Sequence, residues 1–115
     1  MKIEFLDYVT DVVEAMSKAE SFIEGMEYES FVNDDKTIFA VIRSLEIVGE
    51  AVKKIPETIR GQYPQISWKA MAGMRDKLIH GYGNVNLALV WETANIRIPV
   101  VKPIFQQIIA DYTNA

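Results

Sequence analysis

The chain has no cysteine, and His80 is its one histidine in 115 residues. The first absence excludes disulfides and thiolate metal sites. The second argues against a zinc site built within one chain, and the sequence calls for no other metal or cofactor. No apolar run approaches the ~20 residues of a membrane-spanning helix, so no membrane association is expected. The opening residues, Met1-Lys2-Ile3-Glu4-Phe5-Leu6-Asp7, interrupt their apolar positions with acids, which is not the pattern of a secretory signal. A cytoplasmic protein is the expectation. Positive charge is not in excess either: the formal net charge is −4 and the pI about 5.0. Nucleic-acid binders usually show a basic face, so any RNA contact here must be local. An acidic balance also suits a partner with a basic surface. Repeats, low-complexity tracts and linkers are missing. One domain over residues 1–115 is expected, since half the residues are hydrophobic and that suffices for one core.

What is present is helical periodicity, almost throughout. A first helix is predicted from about Ile3 to Gly25, with Ile3, Leu6, Val13, Met16 and Ile23 on or near one face. A connection follows from Met26 to Asn33. Asn33 or Asp34 can cap a second helix, whose stripe is Ile38, Val41, Ile42, Leu45, Val48, Val52 and Ile55. Pro56 ends it, and Pro56 to Arg60 predicts a short helix. Ser67 predicts the cap of a helix from Trp68 to about His80, with Gly81 as its left-handed terminus. Asn84 or Asn86 caps a final helix reaching Tyr112. Pro99 and Pro103 predict a kink near Arg97 to Lys102. The expected fold is an all-α, up-and-down bundle of four main helices plus a short one.

The chemistry concentrates in Arg75-Asp76-Lys77-Leu78-Ile79-His80, followed by Gly81 and Tyr82. Histidine is the side chain whose ordinary pKa lies nearest neutrality. A guanidinium for phosphoryl oxygens, an imidazole for proton transfer and a phenol for positioning make a set suited to phosphate chemistry. Residues five apart on an α-helix differ by about 140° around the axis. Arg75 and His80 therefore converge only if the helix loosens near His80, or if a second chain supplies one of them. The proton count favours the second route. Cleaving RNA through its 2′-hydroxyl needs one group to take a proton and another to give one. One chain has one histidine, whereas a two-fold dimer with the motif at its interface has two.

At these residues the chain resembles the HepT-like toxins of the HEPN superfamily, whose signature is Arg, four to six residues, His, extended to His-x-Tyr in the HepT branch. Arg75, His80 and Tyr82 carry the match. Val41 to Ala51, Tyr63 to Trp68 with Met71 to Arg75, Val90-Trp91-Glu92 and Ile98-Pro99 extend it over nearly the whole chain. The resemblance implies a HEPN-like helical bundle dimerising around the motif, and metal-independent RNA cleavage as the toxin of a type VII toxin–antitoxin pair. It also implies a partner, an MntA-like nucleotidyltransferase antitoxin that transfers AMP from ATP onto Tyr82. Ser44 stands where many relatives have asparagine, which bears on substrate contact if that position lines the cleft.

The roles that follow are proton transfer for His80, phosphate binding for Arg75, and positioning and modification for Tyr82. The bland alternatives are a capping histidine, an arginine paired with Glu46, Glu50 or Asp76, and a surface aromatic. Asp76 can orient His80 or Arg75, or simply face water. Arg43, Glu46 and Glu50 lie opposite the apolar stripe and either line the cleft or are solvated. Lys77 is an ordinary exposed lysine or a backbone contact. Trp68, Trp91, Met71 and Met74 read as packing residues. The competing function is a catalytically silent HEPN module that binds a nucleotidyltransferase. A helical structural protein with a coincidental motif comes last.

Overall fold

A computed structural model describes residues 4–78 and 85–113, with Arg75 described by its backbone alone. Among these residues the architecture is all-α. Helix α1 spans Phe5–Phe22 and α3 spans Asp35–Lys53; α1 packs most extensively on α3 and next on α8, Ile98–Thr113. Their seam is the core. Val9, Val12, Met16, Val41, Leu45, Val48, Val52, Phe105 and Ile108 are fully buried, each such side chain contributing about 1.5–3 kcal/mol.

The buried face of α1 is Val9, Val12, Ala15, Met16 and Ala19. Leu6 and Val13, predicted on that face, are only half-buried. The predicted set followed a seven-residue spacing, which drifts by ~20° per heptad on a straight helix. Gly25 holds φ 76°, the left-handed conformation that costs a side chain most, so the predicted stop is where the chain turns.

The connection from Met26 to Asn33 contains a further short helix, α2, Tyr28–Val32. Its one buried residue, Phe31, lies 5.3 Å from the Trp91 ring. Five residues with a single anchor carry no periodicity to read, which is why a plain connection was expected. Asp34 caps α3: its carboxylate accepts the Thr37 N–H at 3.1 Å and the Thr37 hydroxyl at 2.9 Å. These two bonds, the backbone one first, hold its carboxyl below the ordinary 3.8. The short helix α4, Glu57–Arg60, follows Pro56 as predicted.

Two corrections concern the second half. The helix expected from Trp68 to His80 is broken at Gly73 into α5, Trp68–Ala72, and α6, Met74–Leu78, and the Ser67 side chain makes no capping bond. The final helix begins where Asn86 accepts the Leu89 N–H at 3.0 Å. It runs as α7, Leu87–Glu92, then a π-helical segment, Thr93–Arg97, then α8 straight through Pro103. The irregularity thus lies just before the expected kink. Pro99 has no N–H for the Asn95 carbonyl and its ring crowds that carbonyl; a wider turn upstream relieves the crowding.

Candidate active site

The polypeptide reaches the motif through a segment fixed by polar bonds. Arg60 folds back on the end of α3, donating to the carbonyls of Ile55 at 2.8 Å, Val52 at 2.9 Å and Lys53 at 3.1 Å. These carbonyls lie at and just past the end of α3, where intrahelical donors run out, and that of Val52 also accepts the Ile55 N–H at 3.1 Å. The same guanidinium lies 6.0 Å from the Trp68 ring centroid. Trp68 Nε1 donates to the Tyr63 carbonyl at 3.0 Å, and its ring meets Phe105 edge-on at 5.4 Å. Tyr63 is buried and donates its hydroxyl to Asp111 on α8 at 2.6 Å. Burial first, and then the Asp111 carboxylate, push the Tyr63 phenol up to about 12. Asp111 is held below its ordinary 3.8 by that hydroxyl and by the Gln107 amide.

Past Trp68, α5 descends onto α3 at Gly49. A Cβ there would lie 3.3 Å from the Met71 carbonyl oxygen and 3.7 Å from that of Ala72, so the glycine permits a close approach of two backbones. The break at Gly73 sits over this contact. The Gly73 N–H still reaches the Lys69 carbonyl at 3.1 Å, and the Lys77 N–H reaches that of Gly73 at 3.2 Å, so α6 continues from α5 with a bend. Arg75 is the second residue of α6, which packs against α3 and α7. Leu78 is buried, and its carbonyl accepts the Asn86 N–H at 2.9 Å. The residues that bracket the second half of the motif are therefore bonded to each other.

His80, Gly81 and Tyr82 lie outside the described residues, and so does the predicted helix end at His80. Asp76 is exposed on α6, and Glu46 is half-buried on α3. Arg43 and Glu50, both exposed, pair along α3 at 3.6 Å. Ser44 is buried and donates to the Ala40 carbonyl of its own helix at 3.0 Å, so its hydroxyl is spent within α3. Trp68 and Trp91 pack on Phe105 and Phe31 as predicted. Met71 is buried, whereas Met74 is half-buried and borders a groove. Neither Arg60 nor Tyr63 was singled out by sequence; the one cue was their position between Pro56 and Trp68, which does not reveal a partner on another helix. Among the described residues no cluster of three or more His, Cys, Asp or Glu side chains could hold a metal ion, and no helix is long and apolar enough to cross a membrane.

A sequence model of the HepT-like ribonucleases matches residues 12–108. The chain belongs to the HepT-like ribonuclease family. That span contains α3, the broken α5–α6 helix and all three motif residues, Arg75, His80 and Tyr82. Among individual HepT-like relatives, a Methanocaldococcus jannaschii protein named "Putative RNase" is 50% identical over 104 residues, 90% of this chain and 86% of its own. A second RNase-named protein of that organism is 49% identical, covering 90% of each chain. A Thermococcus cleftensis protein named "Probable ribonuclease HepT" is 44% identical over 94% of this chain and 98% of its own. No solved structure matches.

Proposed function

We propose that this chain is a metal-independent ribonuclease acting as the toxin of a toxin–antitoxin pair in the cytoplasm, its 115 residues forming one HepT-like domain. The observation that carries the reading is an intact Arg75-x4-His80-x-Tyr82 within the span matched by the ribonuclease family. The scaffold supports it: α6, which carries Arg75, is braced on α3, and Leu78 and Asn86 hold the two ends of the intervening chain together.

The chemistry assigns each residue a task. A base takes the proton of the RNA 2′-hydroxyl, and the 2′-oxygen attacks the adjacent phosphorus in line. Charge builds on the phosphoryl oxygens, where the Arg75 guanidinium binds two at once. The bond to the 5′-oxygen breaks, and an acid gives that oxygen its proton. With one histidine per chain, a homodimer supplies His80 from one copy as base and from the other as acid. Tyr82 holds the phosphate or the imidazole, and Asp76, Arg43 and Glu46 orient the cations around them.

Silencing falls to a nucleotidyltransferase antitoxin of the MntA type. The Tyr82 phenol oxygen attacks the α-phosphorus of ATP, pyrophosphate leaves, and AMP remains on the tyrosine in place of the phenolic proton. The bulky anion then occupies the phosphate site. The net charge of −4 favours a second reading, a silent module that binds the nucleotidyltransferase, because RNA is repelled on approach. Protein made without any nucleotidyltransferase, with bare Tyr82 confirmed by intact mass, is incubated with total RNA in chelator beside folded His80→Ala. Cleavage by the wild type alone is the expected result. Equal cleavage by both overturns the assignment of His80, and cleavage by neither selects the binding module.

A further inference from the structure

A net charge of −4 draws no RNA to the chain as a whole, so the contact has to come from a few residues near the motif. The outer face of α3 carries such a group. Phe39 is 74% exposed, the most exposed large apolar side chain among the described residues. Tyr28, Phe31, Trp68, Trp91 and Phe105 are each packed on another ring, whereas Phe39 meets no ring among the described residues. A lone exposed apolar residue is ordinary; the neighbours set this one apart. Lys36 stands three residues before it and Arg43 four after, both exposed, and side chains at those spacings share a helix face. A bare ring bracketed by cations is the composition of single-strand nucleic-acid sites.

The group also lies beside the motif-bearing helix. α5 meets α3 at Gly49, and Trp91 of α7 meets Phe31 of α2, just before α3 begins. α6 comes between α5 and α7 in the chain and packs on both α3 and α7. It therefore runs from the far part of α3 back toward the half that holds Phe39. Phe39 is ten residues before Gly49, about 15 Å along the axis and ~80° around it. It thus flanks the line of contact with α5 and α6 and is left uncovered by them.

We infer that Phe39 is a stacking platform for one unpaired base of the RNA, with Lys36 and Arg43 holding the phosphates on either side of that base. The inference rests on the nuclease reading and names its substrate class, single-stranded RNA. In a duplex the bases are stacked on one another, and a flat side chain on a helix surface reaches no base face. Carboxylates border the group, Asp35 before it and Glu46 and Glu50 after it. They repel a longer run of phosphates and confine the contact to a nucleotide or two. They do not lock the cation. Arg43 and Glu50 pair at 3.6 Å with both side chains 61% exposed, and exposed pairs are weak, so a phosphate can take the carboxylate's place.

The test reads binding, not cleavage. A short fluorescent 2′-O-methyl RNA has no attacking hydroxyl and stays intact. Its anisotropy with the full chain is expected to show binding that Phe39→Ala weakens about 10-fold or more and Phe39→Trp preserves. Position 39 is exposed, so both variants should keep the helical circular dichroism of the wild type. Lys36→Gln and Arg43→Gln are each expected to lessen the slope of log affinity against log salt by about 0.7. The same strand in a duplex should bind the wild type no better than the single strand binds Phe39→Ala, because the stack is lost either way. A wild type that binds no single strand overturns the platform. So do equal binding of strand and duplex, and a folded Phe39→Ala protein of wild-type RNA affinity, including one that loses a protein partner instead. Strand binding through Phe39 in a protein that cleaves nothing sinks the nuclease reading and leaves the platform standing. Cleavage by the wild type, with strand binding unchanged in Phe39→Ala, does the reverse.

Discussion

The two flanks of the Trp68–Leu78 stretch are built on opposite principles. Before Trp68, Arg60, Tyr63 and the indole of Trp68 spend their polar groups on carbonyls at and just past the end of α3, the Tyr63 backbone and the Asp111 carboxylate. Every bond there is internal, and the one from Tyr63 to Asp111 joins residues 48 apart in sequence. After Gly73, α6 borders an open apolar groove, and the carbonyl of its last residue accepts the Asn86 N–H. The first flank fixes where α5 begins and needs nothing from outside. The second carries the backbone of Arg75 on an element that borders the groove. If the proposed site is the catalytic one, a scaffold end and a working end are joined through Gly73, and substitutions on the two sides should separate stability from activity.

Arg75→Lys should give the largest effect, confined to activity. The charge is kept but the planar fork is lost, so single-turnover cleavage should fall by about 10²–10³-fold with the melting temperature unchanged. Arg60→Ala should do the converse. It leaves the carbonyls of Val52, Lys53 and Ile55 without their charged donor and strips a cation from the Trp68 face. Such bonds contribute about 1.5–3 kcal/mol, so melting should drop by roughly 8 °C at ~4 °C per kcal/mol for a chain of this size. Cleavage per folded molecule should stay near the wild-type rate. If Arg60→Ala cost activity and not stability, the contrast between the flanks would be broken.

Tyr63 offers a smaller effect with a pH signature. Tyr63→Phe removes the hydroxyl held by Asp111, worth about 1 kcal/mol near neutrality. The folded phenol titrates near 12 against an ordinary 10.0. A raised pKa contributes stability that is full below the unfolded value and is lost as pH rises through the folded one. Wild-type stability should therefore fall between about pH 10 and 12, and Tyr63→Phe should flatten that fall. Asp111 works in the other direction. Its lowered pKa gives stability present above the ordinary 3.8 and lost as pH drops through the folded value. Denaturant midpoints across pH, for wild type and Tyr63→Phe, check both limbs.

Much of the scaffold was legible because its causes are local. Asp34 caps α3 through the Thr37 N–H three residues on, Pro56 stops it, Gly25 takes the positive φ and Asn86 starts the last helix. Each of these is settled within one turn of chain. The misses have distant causes. Gly73 breaks the helix where α5 lies against α3 at Gly49, a contact between residues more than twenty positions apart. The two prolines predict a kink near Arg97 to Lys102, whereas the irregularity is a π-helical segment at Thr93–Arg97, upstream where the carbonyls lose their donors. The motif was legible by residue type and spacing alone. Its surroundings were not: the groove exists only once α6 and the π segment lie side by side.

Gly49→Ala makes the finest cut between the two ends. Alanine gains about 1 kcal/mol of helix propensity over glycine inside α3. The new methyl would sit 3.3 Å from the Met71 carbonyl oxygen, which is backbone and can yield only by moving the end of α5. The two effects should nearly cancel in stability, leaving the melting temperature within a few degrees. The displacement has no such compensation. It falls just before Gly73 and is carried into α6, so Arg75 shifts by a few tenths of an ångström relative to its phosphate. Misplacements of about 1 Å cost ~10²-fold, so a loss of roughly 3–10-fold in cleavage is expected, with the dimer unaffected. Unchanged cleavage in a folded Gly49→Ala protein would mean that Gly73 acts as a joint that isolates α6 from α5. The working end would then take its position from the groove and whatever fills it, and not from the scaffold.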